Sequence, residues 1–186
     1  MNAKEETIDL LHKLAVSENQ KVPAGTDELA IADFEKENGV LLSPQLREWF
    51  LFCNGGALGP GALYGIGNAS KFVDIESMWA LYPEWKARGW LPLASDGCGD
   101  YYILDLGCKI QVEHPVFFID QADLEPPSYI MASDVWQFFR GLFLSELERD
   151  PETFDFYWPF DEKKVLEDDP KLRDYNGTVP FAWNAD

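Results

Sequence analysis

Aspartate and glycine crowd one short stretch of this chain, Asp96-Gly97-Cys98-Gly99-Asp100, with Asp105 and Asp120 near it in sequence. Carboxylates at that density have three uses. They close turns, because aspartate bonds its own backbone and glycine tolerates positive φ. They hold hard cations, which take several oxygen ligands. They also present negative charge to a basic partner. The spacing does not follow a calcium-binding EF-hand loop, and no glutamate stands at its closing position, so no metal ligands are assigned. Turn chemistry is the plain reading and a partner-facing acidic patch the sharper one. The expected acidic face comprises Asp96, Asp100, Asp120, Asp123 and Glu125, which fall at strand ends and loops, where binding function concentrates. The tail acids Glu167, Asp168 and Asp169 form a second candidate.

Other chemistry is weakly signalled. With 33 acidic residues no carboxylate pair stands out for glycoside hydrolysis. His12 falls on a helix surface and His114 precedes a proline at a strand start, both ordinary structural positions. There is no GxSxG elbow, no HExxH helix, and no histidine suited to a cysteine nucleophile. The one Gly-rich loop, Asn54–Gly61, follows a helix, whereas a phosphate cradle opens one, and it lacks the GK[ST] ending of a P-loop. No catalytic residue and no cofactor is expected.

The charge balance narrows the partners. Fifteen basic residues against 33 acidic ones give a net charge of −18. Phosphate binding needs clustered Lys and Arg, so neither nucleic acid nor an anionic membrane surface is an expected partner. A basic protein partner is. Cys53, Cys98 and Cys108 form no CxxC pair and leave an odd count, which points to a reducing compartment. Met1–Asn19 is charged and amphipathic without the apolar centre of a signal peptide. No apolar run approaches the ~20 residues that span a bilayer. A cytoplasmic protein is the expectation.

The elements that must position these groups can be read from periodicity. Residues 4–18 have helical spacing. Thr26 is placed to cap a helix with Leu29, Ile31, Ala32 and Phe34 inward and Gly39 as its stop. Ser43 and Pro44 open another helix. Residues 62–66 read as a short strand. Residues 74–88 are helical, with Pro83 leaving open a kink or two shorter helices. Strands follow at 90–95, 101–106, 114–120 and 129–132, the first two antiparallel across the Asp/Gly loop. Ser133 is placed to cap an aromatic helix, and an acidic helix lies near 161–169. The fold class is α+β, with a central, mainly antiparallel sheet flanked by helices. The expected layout is an amino-terminal helix and linker (1–25), a core (26–148) and an acidic aromatic tail packing on it (149–186).

The succession IADFEKENGVLLSPQLREWFLFCNGG (31–56), LYGI (63–66), WLPLASDGCGDYYILDL (90–106), PVFFID (115–120) and ASDVWQFFRGLF (132–143) resembles the SUKH superfamily, the Smi/Knr-like proteins. The tail, YWPFDEKKVLEDDP followed by PFAWNAD, is similar to tails on some members. The resemblance spans about residues 26–186 and implies the same α+β fold, with no catalytic residues to transfer. It implies a non-catalytic protein that binds and neutralises a cognate toxin domain, often a nuclease, as bacterial members do. A regulatory or scaffold role of the cell-wall-assembly type is the alternative, and a small hydrolase or ligand-binding domain a more distant one. A nuclease is basic around its substrate site, which fits an acidic inhibitor.

Overall fold

The computed structural model describes residues 2–122, 126–149 and 158–185. Helix α1 (Ala3–Ser17) starts at a capping box: Asn2 accepts the Glu5 N–H and the Glu5 carboxylate accepts the Asn2 N–H. Its buried stripe, Thr7, Leu10, Leu11, Leu14 and Ala15, follows the three- and four-residue rhythm of a helix with one inward face.

In α2 (Glu28–Asn38) two expectations are corrected. The cap is Asp27, which accepts the Ala30 N–H at 2.8 Å; Thr26 instead donates its own N–H to the Phe50 carbonyl at 2.9 Å, which holds it in the preceding extended segment. Only Ile31 and Phe34 are buried, and Leu29 is 70% exposed. Leu29 and Ile31 are two residues apart, on opposite sides of the helix, so one face cannot bury both. Helix α3 (Pro44–Phe52) opens at Ser43 and Pro44 as expected. Past its end, Gly55 at φ 78° sits against the backbone of Leu63–Gly65, where no side chain fits. The Asn54 side chain clamps both backbone polar groups of Ile66 at 2.8 Å, so the Gly-rich loop is a structural hairpin.

Residues 62–66 form bridges to Gly56, Asp74 and Ala94 but no strand of their own. Beyond them, Pro83 resolves the 74–88 pattern into α4 (Ile75–Leu81) and α5 (Pro83–Arg88), with the proline in the first turn of α5, where its missing N–H is harmless.

The sheet is antiparallel, in the order β1 (Trp90–Ser95), β2 (Tyr101–Asp105), β3 (Val116–Ile119), β4 (Tyr129–Ala132). Alternation along β2 divides its faces. Tyr101 meets Tyr82 and Trp85 beside α5, while Tyr102 meets Phe138 of α6 (Val135–Glu148), ring centroids 5.0 Å apart. Both sheet edges are shielded, which removes templates for edge-to-edge aggregation. At β1, Tyr64 donates to the Leu93 carbonyl and Ser95 to the Ala62 carbonyl; at β4, Ile130 donates to the Pro180 carbonyl.

Helix α6 is capped by Asp134, which accepts the N–H groups of Trp136 and Gln137, and not by Ser133 as expected. Ser133 is drawn away by the tail: its N–H and hydroxyl bond the two oxygens of Asp169 at 2.7 and 2.6 Å. The tail's α7 (Glu162–Asp168) is capped by Asp161. Helix α1 lies against α6, where the Thr7 hydroxyl reaches the Trp136 carbonyl at 2.9 Å and Glu6 pairs with Arg140 at 2.6 Å. Trp49 of α3 is buried against α6, stacked on Phe139 at 3.8 Å. No helix among the described residues is long and apolar enough to cross a membrane.

Candidate functional site

Asp96 organises the β1–β2 loop. Its Oδ1 accepts the N–H groups of Cys98, Gly99 and Asp100 at 2.8, 3.1 and 3.0 Å. Gly97, at φ 82°, lets the loop press against the Pro60 carbonyl, where a side chain would collide. Asp100 accepts the Gln121 N–H at 2.9 Å, and the Gln121 amide donates to the Cys98 carbonyl at 2.9 Å. Asp120 accepts the Ala122 N–H at 2.7 Å. The loop and the exit of β3 are therefore one hydrogen-bonded unit.

Register gathers the acids. Ser95 faces Tyr101, and Tyr101 faces Ile119, so Asp96, Asp100 and Asp120 follow or precede paired residues at the same end of three strands. Asp105 lies at the other end of β2, opposite Trp90, and closes the next turn by accepting the Gly107 N–H. Partial burial raises the Asp100 carboxyl above its ordinary range, and the charges of Asp96 and Asp120 raise it further, against the Gln121 N–H. Turn chemistry and an acidic patch are thus properties of the same three carboxylates. Asp123 and Glu125 lie outside the described residues.

Beside this patch is a feature that sequence reading missed. On the α6 face of the sheet, β-strand register sets Tyr102, Phe118 and Tyr129 side by side, with Phe118 and Tyr129 stacked at 4.8 Å and 9°. Trp158 and Phe160 of the tail complete a cavity of about 280 Å³, and Asp96 and the Glu146–Arg149 ion pair also line it. Burial pushes the Tyr129 phenol up to about 12, helped by Asp100, Asp120 and Asp96. The aromatic spacing in three separate strands becomes a wall only once the register is known.

The tail acids separate. Glu167 is exposed, while Asp168 lies 3.6 Å from Arg140. Asp169 is 5% exposed and spends both oxygens on Ser133, so it ties the tail to the core and is not part of a surface patch. Tyr129 and Ser133 bracket β4, so the two acidic groups sit at opposite ends of that strand.

The histidines do structural or surface duty: His114 is buried, with Nδ1 2.8 Å from the Cys108 carbonyl, and His12 is exposed. Among the described residues no three His, Cys, Asp or Glu side chains converge as a metal ion requires.

Comparison with known proteins places most of this chain. The model of the SMI1 / KNR4 family (SUKH-1) matches residues 25–141, from the segment before α2 into α6. No curated protein matches the chain.

Proposed function

This chain belongs to the SMI1 / KNR4 family (SUKH-1), and from that premise we propose that it is a non-catalytic binding protein: an immunity protein that neutralises a cognate toxin domain by direct contact. The observation that carries the proposal is the grouping of Asp96, Asp100 and Asp120 at one end of the sheet, beside an aromatic cavity, in a chain of net charge −18. Acids held by backbone hydrogen bonds are pre-organised, so binding costs little ordering entropy. Opposite charge also raises the rate of encounter with a basic partner. A nuclease toxin suits this surface, because the groups that grip phosphates are the ones an acidic inhibitor can cover. On α7, Glu167 is exposed while Asp168 is paired with Arg140, so the tail contributes less negative charge to this reading than the sheet end does.

The test is co-expression. Toxin-like domains encoded immediately beside this gene would be expressed with and without the chain, and growth and co-purification scored. Restored growth with a stable complex is the expected result. Absence of any toxic neighbour, together with capture of housekeeping proteins, would favour the regulatory role instead.

A further inference from the structure

Charge on this chain is segregated along the sheet. Asp96, Asp100 and Asp120 stand at one end. At the other, where Trp90 of β1 faces Asp105 of β2, the ends of α2 and α5 border an open groove of about 480 Å³. Lys86, Arg88 and Lys109 line it with the ring of His114, and no Asp or Glu does. With 33 acidic residues against 15 basic ones, composition alone would place the opposite charge there.

The two lysines keep their charge. The Lys86 ammonium is held by a neutral partner, Asn38 Oδ1 at 2.7 Å, and lies 5.3 Å from the centre of the Trp79 ring. Lys109 is exposed, with no carboxylate at ion-pair distance among the described residues. Lys4, Lys13 and Lys171, elsewhere on the surface, each pair with a carboxylate. Two acids border the groove and offset part of its charge: Asp105 bonds the Gly107 N–H at 2.7 Å, and Glu76 accepts from the Asn38 amide at 3.1 Å. More distant acids count for less, because exposed charges are screened beyond about 8 Å at physiological salt.

The surface between the cations is apolar. Val40 and Leu106 are half-buried, and Leu41 is 79% exposed. Both helices stop at left-handed glycines, Gly39 at φ 66° and Gly89 at φ 76°. The last carbonyls of a helix lack partners within it and carry partial negative charge, which disfavours a bare anion but offers acceptors to peptide N–H groups.

We propose that this groove docks an extended acidic segment of a partner protein, its carboxylates on Lys86 and Lys109 and its apolar side chains against Val40, Leu41 and Leu106. The surface is separate from the acidic end and does not depend on the reading of that end. A second copy of this chain is a poorer occupant, because two bodies of net charge −18 repel each other and a short segment carries only a few charges.

The experiment needs no toxin. The full chain, labelled with ¹⁵N, would be titrated with an acetylated and amidated Gly-Glu-Leu-Glu-Leu-Gly peptide. A version with glutamine for glutamate removes the charge, one with serine for leucine removes the apolar groups, and inorganic phosphate tests a bare anion. The acidic peptide should shift the amides of Leu41, Leu106, Gly107 and Lys109 saturably. The glutamine version should bind about tenfold more weakly and the serine version several-fold. Lys86→Gln/Lys109→Gln should weaken the acidic peptide about tenfold while keeping the wild-type spectrum away from the groove, and Lys71→Gln, outside the groove, should stay within about twofold of wild type. Shifts confined to other surfaces, equal binding of the glutamine version, or phosphate bound as tightly as the peptide would overturn the proposal. Concentration-dependent dimerisation in sedimentation, abolished by the double variant, would give the groove to a second copy and overturn it too. Because no toxin is involved, failure here would leave the reading of the acidic end standing.

Discussion

Acidification from pH 7 to pH 4 should strengthen the attachment of the tail, because Asp169 is buried where a carboxylate is poorly solvated. Burial raises its carboxyl from 3.8 to about 6; the Ser133 hydroxyl and N–H and Lys171 resist this rise, and Asp134 adds to it. The folded-state value therefore lies above the unfolded one. The folded chain holds a proton between about pH 4 and 6 that the unfolded chain has released, so this contribution is fully present below 3.8 and is lost as the pH rises through 6. A gap of about two units corresponds to ~3 kcal/mol at 1.36 kcal/mol per unit. The assay is urea denaturation of wild type and Asp169→Asn between pH 4 and 7.5. Relief of the general repulsion in a chain of net charge −18 acts on both proteins, so their difference isolates Asp169. Wild type should gain ~2 kcal/mol more than the variant by pH 4, short of the full value because the unfolded carboxyl is only partly protonated there. A ¹³C carboxyl titration reads the group directly. Parallel stability profiles, or Asp169 titrating at or below 4, would refute the reasoning.

Three substitutions probe the packing. Gly141→Ala places a methyl group 2.7 Å from Trp158 Cζ2 and Nε1; the overpacking, about 1–3 kcal/mol, should outweigh the ~1 kcal/mol that alanine adds to a helix, lowering Tm and moving the Trp158 indole resonance, whereas a higher Tm would show that Trp158 does not rest there. Thr7→Val removes the hydroxyl that bonds the Trp136 carbonyl and should cost about 1 kcal/mol in chemical denaturation, with an unchanged value denying that contact a role in holding α1. Gly55→Ala forces a side chain onto positive φ and against the backbone of Leu63–Gly65, and should cost at least ~2 kcal/mol or abolish soluble expression; a fully stable variant would contradict the local geometry.

Strands were the most legible part of the chain. Trp90–Ser95 and Tyr129–Ala132 occupy the bounds their apolar runs suggest, because short runs between Gly, Asp and Pro have few other ways to pair. Ser43 caps α3 as its sequence suggests, but two other caps were legible only to within one residue. Thr26 and Ser133 each stand beside an aspartate that caps in their place, and a tertiary partner decided both cases: the Phe50 carbonyl for Thr26 and the Asp169 carboxylate for Ser133. Composition cannot reveal such a competitor across the fold. The same limit applies to the candidate site. Asp96, Asp100 and Asp120 could be nominated because their loop is local, and strand register then grouped them. Asp169 has the same residue type as its exposed neighbours, and only the docking of the tail against β4 makes it internal. The aromatic cavity draws on three strands and the tail, so no window of sequence contains it.

The central claim is that the acidic end of the sheet binds a basic toxin domain. It is tested most directly by calorimetric titration of a rescued toxin with wild type and with the Asp100→Asn/Asp120→Asn double variant, at low and at high salt. The account predicts that salt weakens the wild-type complex, that the double variant binds at least tenfold more weakly at low salt, and that the gap narrows as salt rises. Equal affinity of the two proteins at low salt would contradict it.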